Sequence, residues 1–147
     1  MRNLTIQRRK TFVASLCKLK IYIEDPMSNE ITINGVTCRK LGEIKNGEEQ
    51  TFIIENNAAK VFVIADKLSK NYCCEFFQLP YGDADIYLTG KNKFNILNGN
   101  AFIFDNNDNE EVLAARKKNK IKGLVVLICS IIIGFILGFI LSTAMLD

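Results

Sequence analysis

One segment limits what the rest of this chain can be. From Gly123 to Leu146 the sequence GLVVLICSIIIGFILGFILSTAML has no charged residue and no proline. A helix rises about 1.5 Å per residue, so about 24 residues reach roughly 36 Å. A bilayer hydrocarbon core is about 30 Å thick, and such a helix crosses it with some tilt. A core helix of a small domain is shorter and keeps a polar face. The segment is therefore read as a transmembrane span, residues 123–146.

The residues before the span give it a direction. Arg116, Lys117, Lys118, Lys120 and Lys122 form a basic block, and only Asp147 follows the span. Basic flanks stay on the cytoplasmic side. The expected topology is a single pass through the cell membrane, with the N-terminal domain cytoplasmic. The opening MRNLTIQRRKTFVASLCKLKIYIED lacks the apolar core of a signal peptide, because Lys18 and Lys20 interrupt the run after Lys10. The same block attracts anionic lipid, at about 1 kcal/mol per residue near the surface. Arg8, Arg9 and Lys10 are a second basic run; whether they share one side of the domain the sequence alone does not say. Outside the juxtamembrane block the chain is not strongly basic, so no nucleic-acid partner is expected.

Several chemistries are excluded by composition. The chain has no histidine, which removes Ser-His-Asp and Cys-His catalysis, histidine metal ligands and a histidine pH switch. Its five cysteines form no CxxC pair and no zinc spacing, and suit a reducing compartment. Cys73 and Cys74 would point to opposite faces of a strand, so they are read as packed thiols. No cofactor is called for.

Ahead of the span, short alternating runs dominate. Leu4 and Ile6 open the first. Cys17, Leu19, Ile21 and Ile23 alternate with Lys18, Lys20, Tyr22 and Glu24, the pattern of a half-buried strand. Asn34-Gly35 is a hairpin signal, followed by Val36 to Ile44. Phe52 and Ile54 face inward in the next run. Val61 to Ala65 is apolar on both faces, as in a covered central strand. Cys73 to Leu79 and Ile86 to Leu88 continue the series. Phe94 and Ile96, then Asn98-Gly99-Asn100, then Phe102 and Phe104 make a last hairpin. Gly35, Gly42, Gly47, Gly82, Gly90 and Gly99 are read as turn glycines. The expected fold is mainly β: an antiparallel sandwich or small barrel of about seven to nine short strands, residues 1–106, followed by one C-terminal transmembrane helix. Residues 107–122 form a basic helical linker. Asp105 to Asn109 supplies N-cap residues, and Glu110-Glu111 suits a first helical turn.

The order LKIYIED, INGVTCRKLGEIKNGEEQTFII and KVFVIAD, between residues 19 and 66, resembles the PEGA-type β-sandwich repeat. It also looks like related small membrane-attached β domains of Gram-positive bacteria. The Pro-Glu-Gly-Ala signature itself is missing. The resemblance implies a non-enzymatic surface or interaction role.

Within the span, Ser130, Gly134, Gly138 and Ser142 recur every fourth residue and share one helix face. Gly134-FIL-Gly138 is a GxxxG. Small residues let two backbones approach closely in lipid, where packing drives association, so a homodimer or homo-oligomer is expected. Other motifs have plainer readings. Asp105, Asn107 and Asn109 resemble the start of a calcium loop, but Glu110 stands where the loop needs glycine. Asp83 and Asp85 fall in a solvated turn. The resulting expectation is a membrane-anchored, non-enzymatic cytoplasmic β domain that binds a protein partner or senses a ligand. The alternative is a membrane effector, whose span clusters and perturbs the bilayer under control of the β domain.

Overall fold

The computed structural model describes residues 1–65, 75–95 and 99–144. Among these, nine strands precede one helix. The strands are β1 (Arg2–Arg8), β2 (Leu19–Glu24), β3 (Ile31–Ile33), β4 (Val36–Ile44), β5 (Glu49–Ile54), β6 (Ala59–Ala65), β7 (Phe76–Leu79), β8 (Ile86–Asn95) and β9 (Gly99–Phe104). The helix is α1 (Glu110–Ala144). Cys73, Cys74, Ile96 and Asn98 lie outside the described residues, as does the side chain of Ser142.

Two sheets form, in the orders β5-β1-β8-β9 and β3-β4-β2-β6-β7. The mainly β architecture with a C-terminal helix is as expected. All ladders are antiparallel except one: β1 and β8 run parallel, Leu4 opposite Ile86 and Arg8 opposite Gly90. A parallel pair needs a long return connection, and here six intervening strands supply it. Short turns make the antiparallel hairpins. Asn34 and Gly35, with φ of 51° and 81°, join β3 to β4 at the pair Ile33–Val36. Positive φ at both central residues matches the twist of the flanking strands.

Alternation places one face of each sheet in a shared core. Leu4 and Ile6 of β1, Leu19 and Ile21 of β2, Val61 of β6 and Phe104 of β9 belong to it. Burying each such side chain contributes about 1.5–3 kcal/mol. β6 is apolar on both sides because both sides are covered. Its Phe62 points away from Val61 and Val63 and packs with Tyr22, Ile33, Cys38, Phe76 and Val112 in a second cluster. Val112 comes from α1, so the first turn of the helix is part of the domain's packing.

Two sequence readings need correction. Gly42 and Gly90 lie inside β4 and β8 rather than in turns. Arg8 and Arg9 do not form one basic cluster. They sit on opposite faces of the chain: Arg8 is fully buried, while Arg9 pairs with Asp105 at 2.6 Å. The residues read as a helical linker and the apolar stretch after them form one continuous helix, Glu110–Ala144. Gly123 does not break it, since a helix with tertiary support at one end tolerates a single glycine.

Candidate functional site

The site of interest is the junction where the β domain hands over to α1. Asn109 caps the helix, its side-chain oxygen accepting from the backbone N–H of Glu111 at 3.0 Å and of Val112 at 3.3 Å. Glu110 and Glu111 stand in the first turn, where carboxylates oppose the positive end of the helix dipole. Ahead of the cap, buried Asn107 donates to the carbonyl of Phe76 at 2.6 Å.

Arg116 makes the main link. Its Nε donates to Glu75 Oε2 at 2.8 Å, a second guanidinium nitrogen bonds Glu75 Oε1, and that nitrogen also donates to the carbonyl of Phe104 at 2.8 Å. Glu75 additionally accepts from the backbone N–H of Phe104 at 3.0 Å. The Glu75 side chain is 8% exposed and that of Arg116 31%. The sequence groups Arg116 with the basic block; the structure turns it toward the domain. Lys117, Lys118, Lys120 and Lys122 remain exposed on the helix. They are the part of the block that faces outward. A groove of about 770 Å³ runs between α1 and the β8–β9 hairpin, with Phe94, Ala101, Ile103, Gly123, Leu124 and Leu127 in its wall.

Beyond the junction α1 is long and apolar enough to cross a membrane, and its apolar stretch is not buried in the protein. Ser130 Oγ donates to the Val126 carbonyl of its own helix at 2.8 Å. A Cβ added at Gly134 or Gly138 meets nothing within 4 Å. Together with Ile131, Phe135 and Phe139 these glycines shape a shallow trough on the helix surface.

A second constellation was missed by sequence reasoning. Arg8 at the end of β1 is enclosed, and burial lowers its pKa from the ordinary guanidinium value. Its Nε donates to Asn92 Oδ1 at 2.9 Å, and its terminal nitrogens donate to the carbonyls of Cys17 and Ala14, each at 2.6 Å. Arg2 is likewise buried and donates to the carbonyls of Pro80 at 2.6 Å and Asn57 at 3.0 Å. The available signal was the two-residue period: Arg2, Leu4, Ile6 and Arg8 share one face of β1.

The acidic residues singled out in the sequence are placed as follows. Asp85 accepts from the backbone and side-chain nitrogens of Asn3 at 2.8 and 3.0 Å, bonds that hold its carboxyl below the usual range. Asp83 is exposed. Among the described residues no three His, Cys, Asp or Glu side chains are grouped to hold a metal. The chain matches no protein-family model, no curated protein and no solved structure.

Proposed function

We propose that this is a single-pass protein of the cell membrane that displays a non-enzymatic β-sandwich at the cytoplasmic surface. The sandwich binds a protein partner or senses a ligand, and the span pairs with a second copy. The observation that carries this reading is the rigid junction. Val112 belongs to the second apolar cluster, Arg116 is tied to Glu75 and Phe104, and the same helix continues without a break into the apolar stretch. A domain fixed to its helix transmits a change in one to the orientation of the other. A flexible linker would not.

Orientation is tested with Cys17, which is exposed on the β1–β2 loop, whereas Cys38 is buried. A membrane-impermeant maleimide should modify Cys17 only after cells are lysed. Modification in intact cells would place the sandwich on the outer side and overturn the reading.

A further inference from the structure

The end of the sandwich toward which α1 runs carries exposed apolar and basic side chains. Strand directions define that end. β1 and β8 are parallel, and Arg8 lies level with Gly90. β8 continues to Asn95 and β9 returns, bringing Phe104 opposite Gly90. Arg116 bonds Phe104, while Gly123, Leu124 and Leu127 share a groove with Phe94 and Ala101 near the hairpin tip. The helix therefore passes along the hairpin toward its tip, and the apolar stretch begins beside it. The β1–β2 loop occupies the same end, because it follows Arg8. The β4–β5 turn lies there too: Thr11 N–H donates to Asn46 Oδ1 at 3.0 Å, and Asn46 Nδ2 donates to the Thr11 carbonyl at 2.9 Å.

This loop displays Phe12 at 97% exposure and Leu16 at 98%. Both belong to a short, tightly held turn. Arg8 grips the carbonyls of Ala14 and Cys17 from inside, Ala14 adopts a left-handed φ of 55°, and Ser15 and Cys17 donate back to Phe12 and Ala14. Such a loop loses little conformational freedom when it binds. Exposed Lys10, Lys18 and Lys45 surround it, and exposed Lys93 and Phe94 lie on the neighbouring hairpin. The nearby Glu48 carboxylate is already engaged by the Lys45 N–H and by Gln50. The opposite end instead exposes Asp83 and Asp85.

We propose that Phe12 and Leu16 insert into the headgroup layer of the bilayer that α1 crosses, with the flanking lysines on anionic lipid. Apolar side chains ringed by lysines are the composition of an interfacial membrane contact, and the span brings that surface within reach of the loop. The sandwich is then held against the membrane at two points. This inference rests on the reading of α1 as a span.

The test uses the full chain, which has no native tryptophan, reconstituted in vesicles of phosphatidylcholine and phosphatidylglycerol. Single-tryptophan variants Phe12→Trp, Leu127→Trp and Tyr81→Trp are compared in brominated and ordinary lipid. Tyr81 is 81% exposed and follows β7 at the opposite end. Emission from Phe12→Trp and Leu127→Trp should fall about twofold or more in brominated lipid, as expected for an indole at or below the interface, and that from Tyr81→Trp should not change. Quenching at Leu127→Trp without quenching at Phe12→Trp overturns the loop contact and leaves the span standing. Absence of quenching at Leu127→Trp overturns the span, and the loop contact with it. Equal quenching at Tyr81→Trp overturns the assignment of the bilayer to one end.

Discussion

Arg116 of α1 and Glu75 at the head of β7, 41 residues apart in the chain, form a two-pronged ion pair that fixes the helix to the sandwich. Glu75 holds Phe104 N–H and Asn107 as well, so it gathers donors from three neighbouring segments. Glu75→Ala leaves a half-buried guanidinium and two other donors without their acceptor. Removing one partner of a buried pair costs about 3–5 kcal/mol; with Arg116 partly screened by water, about 2–3 kcal/mol is expected. Thermal unfolding in detergent should show the loss. A double-mutant cycle with Arg116→Ala should return a coupling of about 1 kcal/mol or more. Additive effects would mean that the pair does not hold the junction.

Arg8, the last residue of β1, is predicted to be the residue on which the β1–β2 loop depends most. Arg8→Met preserves much of the volume but removes every bond to Ala14, Cys17 and Asn92. Hydrogen bonds to a charged group contribute about 1.5–3 kcal/mol, and a loss in that range is expected. The amides of Ser15 and Cys17 should exchange with solvent faster than in the parent protein, while those of β6 keep their relative protection. Arg8→Lys should not rescue the loop, because one ammonium lacks the planar fork that spans these three acceptors.

Much of the sandwich is legible in the sequence because a period of two is a local property. Leu19, Ile21 and Ile23 reveal their face without reference to any other strand. The pairing of β1 with β8 is not local, and no turn between them reports it. Arg8 escapes notice for a related reason. Its charge argues for the surface, and only the carbonyls of a loop that has yet to fold make its burial tolerable. Glu75 stands between Cys74 and Phe76 in a run that reads as a strand, and nothing nearby in sequence announces Arg116 as its partner. The long apolar helix is the easiest element to read, since an unbroken apolar run of that length is a local property.

Gly90 should tolerate no side chain. A Cβ there would lie 2.6 Å from the Ile103 carbonyl oxygen and 2.4 Å from the Phe102 ring. The carbonyl is backbone within a ladder and cannot move aside. Gly90→Ala is expected to cost about 1–3 kcal/mol, the usual range for overpacking. Gly42→Ala meets only the ring edge of Phe52, at 2.8 Å, and Phe52 is half-buried. It should cost less than Gly90→Ala by chemical denaturation; the reverse order would contradict the packing at β8–β9.

Cys38 provides a pH-dependent check on the second apolar cluster. Burial, and to a lesser degree the charge of Glu24, push its thiol up to about 11. The unfolded chain releases that proton near the ordinary thiol value, about 8.5, so the folded state binds it more tightly. The contribution to stability is full below about pH 8.5 and declines as pH rises toward 11, by about 3 kcal/mol in all. Cys38→Val keeps the shape and removes the titration. The difference in stability between parent and Cys38→Val should therefore change over this interval, and a constant difference would refute the shift.

The proposed self-association of the span is predicted to depend on Gly134 and Gly138. An added Cβ meets nothing within 4 Å at either position, so larger side chains leave the single-chain fold undisturbed. They would, however, fill the trough beside Ile131 and Phe135 and keep a second backbone at a distance. Gly134→Ile/Gly138→Ile should weaken association about tenfold or more, equivalent to about 1.4 kcal/mol, in a transmembrane association reporter. The same variant should unfold at the parent temperature in detergent, which separates an association defect from a folding defect. Because Val112 and Arg116 tie α1 to the sandwich, the loss should extend beyond the membrane. Cross-linking between exposed Cys17 residues of two copies should fall in parallel if the helices set the spacing of the domains. An equal reporter signal from parent and variant would show that the small-residue face does not mediate pairing.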